Sequence, residues 1–196
     1  MDFLLQWLAG IYYLFNKVFL SLSERSKLKE EASRARQWRI SAWVVYLLGL
    51  PPWVIIFINE HNWIAAMVEA SGAPGMTLGL ILAYRGVAAT PPKWLNRLAL
   101  MLIPIGFGIS LYDFGGLTTI TQWLEILLVL GFLIGTYLLA HERLSGYVWY
   151  LLMHVSCAWL MLIQGYDWLF AQQLISLIFI TDAYVIGRRL KIKIPN

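Results

Sequence analysis

The chain has 196 residues, 60% of them hydrophobic and 13% charged, with mean hydropathy +0.66 and net charge +4. Soluble domains are about half apolar and about a quarter charged. This composition therefore excludes a soluble domain and indicates a helical integral membrane protein. The apolar runs are too long and continuous for the short alternating strands of a barrel. A single cysteine, Cys157, excludes an intrachain disulfide and a cysteine metal site. The basic residues gather in a few loops, a pattern that concerns topology and membrane lipid rather than nucleic acid.

Seven spans are predicted, and crossing a bilayer takes ~20 apolar residues. The first covers about 3–22 and is followed by a charged linker, 23–39. The second, about 40–58, is broken by Pro51-Pro52. The turn Asn59-Glu60-His61-Asn62 leads to the third, about 63–84, which carries the breaker Gly72-Ala73-Pro74-Gly75. A Pro91-Pro92 loop leads to the fourth, 94–112, with Pro104 inside it. The turn Asp113-Phe114-Gly115-Gly116 leads to the fifth, about 117–140. A final hairpin, Gly146 to Arg189, supplies two more spans joined at Gln164-Gly165-Tyr166-Asp167, and a basic tail, 188–196, ends the chain.

Fourteen of the fifteen Lys and Arg residues fall on one side of this alternation: the 23–39 linker, Arg85, Lys93, Arg97, Arg143 and the tail. The opposite loops carry Asp2, Glu60, Asp113 and Asp167. The positive-inside rule then predicts an external N-terminus, a cytoplasmic C-terminus and a place in the inner membrane. Asp2 precedes the first apolar run and the basic cluster follows it, the reverse of a cleavable signal. The exception, Lys17, is expected to snorkel to the nearby interface. The linker reads as a cytoplasmic amphipathic helix whose six basic residues can also attract anionic lipid.

An internal repeat follows from the tryptophans. Trp43 and Trp53 are ten apart in the second span, as are Trp149 and Trp159 in the sixth. Trp63-Ile64-Ala65-Ala66 matches Trp168-Leu169-Phe170-Ala171, Ser71 matches Ser176, and Trp7-Leu8 matches Trp123-Leu124. Residues 3–84 and 117–187 then form two parallel three-helix units joined by the linker helix 94–112. This is an arrangement in which transporters place their site at the repeat interface.

Polar side chains inside apolar spans usually face a bundle interior or a pathway. Glu69, Glu125, Gln172 and Gln173 lie in the outer part of the membrane, and His154 lies near mid-depth. Helical spacing aligns Glu69, Gly72, Met76 and Gly79 on one face, and Tyr147, Tyr150, His154 and Cys157 on another. The candidate substrate-binding residues are Glu69, Tyr147, Trp149, Tyr150, His154, Gln172 and Gln173. Together they suit a flat, polar, cationic solute, because aromatic faces attract cations by ~0.5–2 kcal/mol and a carboxylate adds Coulomb attraction. Plainer roles stand beside these. Glu69 and His154 can bond neighbouring helices, and Glu125 can reach outside water. Tyr147 and Trp149 can belong to an interface belt, one of the two glutamines can point away, and Asp182 can pair with Arg188 or Arg189. The helix prolines are hinges or static bends.

From Trp123 to Gly187, the Trp-led fifth span, aromatic sixth span, Gln164-Gly165 turn and polar-studded seventh span resemble the PnuC family, bacterial transporters of nicotinamide riboside. The layout is similar over nearly the whole chain. The resemblance implies the three-plus-one-plus-three arrangement related to SWEET transporters, facilitated diffusion, and a cytoplasmic kinase that traps the solute. The family signature Trp-x-x-Trp-x-x-x-Asn falls at Tyr147, Tyr150 and His154, which keep aromatic and polar character but not the residues. A family Asn of the second helix falls at Gly49. A polar position of the third helix falls at Glu69, the polar pair of the seventh at Gln172 and Gln173, and a late Asn at Asp182. The implied solute is nicotinamide riboside or a similar nucleoside-like vitamin precursor.

The chain has no G-x-x-x-x-G-K-[ST] loop, so ATP bound here does not drive transport. His61, His141 and His154 lack metal-ligand spacing, and the last span has no mid-depth lysine for retinal. We expect a non-enzyme without cofactor whose partners are a small-molecule solute and membrane lipid. A homo-oligomer is allowed, and the alternative role is a binding subunit that needs an ATPase partner.

Overall fold

The computed structural model describes residues 2–59, 61, 63–86, 89–114 and 117–193. Glu60, the Gly115-Gly116 turn, the end of the tail and the side chains of Asp2, Asp113 and Lys193 therefore lie outside the description. Among the described residues there are eight α-helices and no strand: α1 (Asp2–Leu28), α2 (Ala32–Asn59), α3 (Trp63–Ser71), α4 (Ala73–Arg85), α5 (Lys93–Phe114), α6 (Ile120–Ala140), α7 (Ser145–Gln164) and α8 (Asp167–Lys193). By length and composition α2, α3 with α4, α5, α6, α7 and α8 give six segments able to cross a membrane.

Helix α1 stands beside them, packed on α2 and α8. Leu4, Leu8, Ile11 and Phe15 form an exposed apolar stripe at four- and three-residue spacing. Its opposite face buries Asn16, Lys17 and Leu20. The packing order closes a ring. α1 meets α2, α2 meets α3 and α4, α4 meets α6, α6 meets α7, α7 meets α8, and α8 returns to α1. Helix α5 lies outside this ring, against α3, α4 and α6. The ends of α1, α4, α6 and α8 and the starts of α2, α5 and α7 lie together and carry the basic residues; we call this the basic end and the other the far end.

Three local features differ from the sequence expectation. The 23–39 segment is helical, as expected, but not as a separate helix between two spans: α1 runs to Leu28 and α2 begins at Ala32, leaving a three-residue turn with Glu30 at φ +63°. Lys17 is therefore well inside its helix and fully buried, and does not snorkel to the surface of the bundle. Helix α2 is continuous through Pro51-Pro52; each proline removes one N–H, from the carbonyls of Leu47 and Leu48, without ending the helix. The third span does break, at Gly72. There an added Cβ would stand 2.3 Å from Cζ of Phe132, so the glycine admits that ring from α6. Pro74 then lies in the first turn of α4.

Helix α6 starts on a capping box, with Thr119 and Gln122 each bonding the other's backbone N–H. Helix α7 stops at Gly165, whose φ of +75° suits glycine. Helices α6 and α7 approach closely at Gly131, where a Cβ would lie 2.7 Å from the Trp149 carbonyl oxygen and 2.9 Å from Cα of Met153. Those neighbours are backbone and cannot turn aside. Gly131→Ala is expected to cost ~1–3 kcal/mol by overpacking and to lower the melting midpoint of the purified protein by several degrees. Gly108→Ala, where nothing lies within 4 Å, should leave it unchanged. Equal midpoints would refute the close packing of these helices.

Candidate functional site

The ring encloses a cavity of about 650 Å3 in the far-end half of the bundle. Every helix except α4 contributes to it. Gln6 and Tyr13 come from α1, Tyr46, Trp53 and Phe57 from α2, Val68 and Glu69 from α3, and Ser110 from α5. Glu125, Leu128 and Phe132 come from α6, Met153, His154, Cys157 and Gln164 from α7, and Gln172 and Gln173 from α8. Exposed Gln164 and Tyr166 stand at its mouth, and His154, 2% exposed, lies deepest on α7.

A chain of hydrogen bonds fixes the polar wall. Gln172 Nε2 donates to the Gly10 carbonyl at 3.4 Å, and Gln173 Nε2 donates to Gln172 Oε1 at 2.8 Å. Gln173 Oε1 is therefore an acceptor, and His154 Nδ1, 2.5 Å away, is its donor. In the neutral ring this leaves His154 Nε2 as a lone-pair acceptor, and that atom meets no protein partner. Nearby, Trp53 Nε1 is a donor without a protein partner. Glu69 accepts from the Tyr13 hydroxyl. The cavity thus offers a carboxylate, an imidazole acceptor and an indole donor, set among the rings of Tyr13, Tyr46, Trp53 and Phe132.

Beneath the cavity lies a group the sequence reading did not place there. Lys17 Nζ is fully buried, 4.2 Å from the ring centroid of Tyr46, 4.9 Å from that of Tyr150 and 5.4 Å from that of Tyr13. It donates to Asn16 Oδ1 at 3.0 Å, and Asn16 Nδ2 donates to the Ala42 carbonyl at 2.9 Å. The tyrosines pack edge to face, Tyr13 on Tyr46 at 4.8 Å and Tyr46 on Tyr150 at 6.4 Å. The hydroxyls of Tyr150 and Thr136 lie 3.0 Å apart. An ionisable side chain inside an apolar helical bundle is a candidate functional group by default.

Of the candidate residues, Glu69, His154, Gln172 and Gln173 line the cavity. Tyr150 is buried behind its floor, against Lys17. Trp149 lies outside the cavity, on the α6 side of α7, where its backbone and Cβ approach Gly131 and Gly135. Tyr147 is further away, at the basic end, and donates to Glu24 Oε1 at 2.9 Å. Glu125 lines the far-end mouth. Asp182 bonds neither Arg188 nor Arg189. Instead Arg25 grips it through Nη2 at 2.6 Å and Nε at 2.9 Å, and Ser21 donates to it at 2.5 Å. The partner came from α1 because α1 continues past the expected span end.

The basic end is tied together by an ion-pair network, beside a second cavity of about 740 Å3. Buried Arg39 of α2 lies 3.3 Å from Glu24 of α1 and 3.5 Å from Glu142 in the α6–α7 turn, and it also donates to the Leu139 carbonyl. Lys27 bridges the same two carboxylates, at 3.4 Å from Glu24 and 2.8 Å from Glu142. Burial pushes the Glu142 carboxyl up, but Arg39 and Lys27 outweigh it and hold the group below its ordinary range. Glu142 has φ +55°, a strained region for a side chain of this kind, so the ion pairs also hold the turn.

Compared with protein-family profiles, characterised proteins and solved structures, the chain matches none.

Proposed function

We propose that this chain is a membrane transporter for nicotinamide riboside or a similar nucleoside-like vitamin precursor, working by facilitated alternating access. One observation carries this reading: the bundle holds an acidic, aromatic cavity that opens toward one end and stops, on its inner side, at buried Lys17 and its tyrosines. A pore would be open at both ends, whereas a carrier holds one end closed. Ring faces suit a cationic pyridinium. Glu69 and His154 Nε2 suit hydroxyl donors, which cost ~1–3 kcal/mol each if buried unpaired.

The ring order supports two parallel three-helix units. If α1, α2 and α3–α4 correspond to α6, α7 and α8, the contact of α1 with α8 becomes that of α6 with α4, and both contacts are present. Helix α5 is then the linker. The lipid-facing stripe of α1 supports a seventh crossing. With the basic end in the cytoplasm, the cavity faces outward in an inner membrane, and a kinase beyond the membrane would trap the solute.

The test is thermal stabilisation of the purified protein by nicotinamide riboside, thiamine, riboflavin and neutral nucleosides, followed by uptake into liposomes. Nicotinamide riboside at a hundred times its dissociation constant should stabilise by ~2.7 kcal/mol, and the chain alone should carry it. A shift with thiamine instead would overturn the named solute. Binding without uptake would make the chain a capture subunit that needs an ATPase partner. No shift and no uptake with any solute would overturn the reading.

A further inference from the structure

Two opposite charges lie at the cavity, and they differ in access. Glu69 lines the cavity. Lys17 lies behind it, fully buried, enclosed by the rings of Tyr13, Tyr46 and Tyr150 and bonded to Asn16. Tyr13 stands between them, its ring against the ammonium and its hydroxyl on the carboxylate. Among the described residues no ion pair joins Lys17 to Glu69. Lys17 is thus shut away behind the tyrosines, and Glu69 is the charge that a solute can reach.

This arrangement restricts which forms of the site can be closed. A carboxylate cut off from water without a cation beside it is costly. Lys17 stands off behind the tyrosines and forms no ion pair with Glu69, so when the far end shuts a proton or the positive charge of a solute stabilises the carboxylate. Both loaded forms leave the cavity with the same net charge. Resting on the reading of a cationic solute, we propose that Glu69 exchanges one proton for each solute cation, so that the chain is an electroneutral cation–proton exchanger.

The steps balance. At the open far end the Glu69 O–H bond breaks, its electron pair stays on oxygen, and the proton leaves to cavity water as the cation takes its place. After reorientation the cation leaves at the basic end and a proton from that side restores the O–H bond. Nothing is oxidised or reduced. The other groups facing this centre are Tyr46 from α2, Ser110 from α5, Glu125 from α6, His154, Cys157 and Tyr150 from α7, and Gln172 and Gln173 from α8. His154 is less suited to the exchange because its Nδ1 proton is held by Gln173. Glu125 is less suited because it lies at the mouth, two residues from half-exposed Trp123.

The test uses the full chain in liposomes with nicotinamide riboside as the cation and inosine as a neutral nucleoside. An acidic lumen should speed cation uptake at least ~3-fold over symmetric pH, and the lumen should lose about one proton per cation. A potassium-diffusion potential without a pH gradient should have no effect, and inosine should ignore both. Glu69→Gln should remove the pH effect while Glu125→Gln keeps it. Glu69→Asp, which retains a carboxylate, should show it at reduced rate. Wild-type cation uptake that ignores the pH gradient, or that follows the potential, would overturn the exchange and leave the transporter reading standing. No uptake of either solute under any gradient would overturn both. The wild-type arms decide the matter even if a variant fails to fold.

Discussion

Exchanging Arg39 for methionine is expected to lower the melting midpoint by on the order of 10 °C and to open the basic end. The guanidinium is 3% exposed and satisfies Glu24, Glu142 and the Leu139 carbonyl at once. Removing one partner from a buried ion pair costs ~3–5 kcal/mol, because the remaining charges lose their compensation. A chain of this length shifts by roughly 2–4 °C per kcal/mol. The functional readout is Cys157, the chain's single cysteine, which lines the cavity. A membrane-impermeant thiol reagent should label it from the far side in the natural protein, and from both sides after Arg39→Met. An unchanged midpoint with unchanged sidedness would show that the network does not close the bundle.

The same network sets an acid limit. The Glu142 carboxyl is depressed in the folded protein, so its contribution is fully present above its unfolded value of 4.5 and is lost as pH falls through the lower folded value. Melting curves taken from neutral pH to below 4.5 should show a falling midpoint at the acid end, and Glu142→Gln should flatten that dependence.

Lys17→Met is the second large effect, and its two readouts should move in opposite senses. An unpaired buried ammonium carries a desolvation penalty of several kcal/mol. Three ring faces return ~0.5–2 kcal/mol each, and the bond to Asn16 returns ~1.5–3 kcal/mol as a bond to a charged group. These sums nearly cancel, and methionine fills a similar volume without the charge. The midpoint should therefore hold or rise, while solute transport falls at least ~10-fold because the charge behind the tyrosines is gone. A large fall in midpoint would make Lys17 a structural group; unchanged transport would remove it from the mechanism.

Most of the fold could be read from the chain because long apolar runs and their punctuation are local signals. The starts and ends of α6, α7 and α8, the break at Gly72 and the turn at Gly165 all lie near the expected positions. What escaped reading was helix length through charged sequence. The segment Ser23–Arg39 reads as a separate amphipathic helix, yet α1 continues to Leu28 and α2 begins at Ala32, carried by contacts between α1, α2 and α8 that no local pattern encodes. That misreading placed Lys17 at an interface and gave Asp182 the wrong partners. A signal was present: Gln6, Tyr13, Asn16, Lys17 and Glu24 recur at helical spacing, a polar face nineteen residues long opposite an apolar stripe.

The site was half legible. Glu69, His154, Gln172 and Gln173 stood out because polar groups in apolar helices are costly. Tyr13, Tyr46 and Trp53 did not, because an aromatic in a span reads equally well as packing. Tyr147 shares a helical face with His154, but a rise of ~1.5 Å per residue sets it ~10 Å lower, inside the basic-end network.

The closed ring also sets an order on assembly. Its closing contact, α1 on α8, joins the two of these helices that lie farthest apart along the chain. Lys17 gains the ring of Tyr150 only after α7 has been synthesised. Until then a newly made α1 presents an ammonium with part of its enclosure missing. A ribosome-stalled chain ending before α7 therefore leaves the Lys17 side chain without the ring of Tyr150.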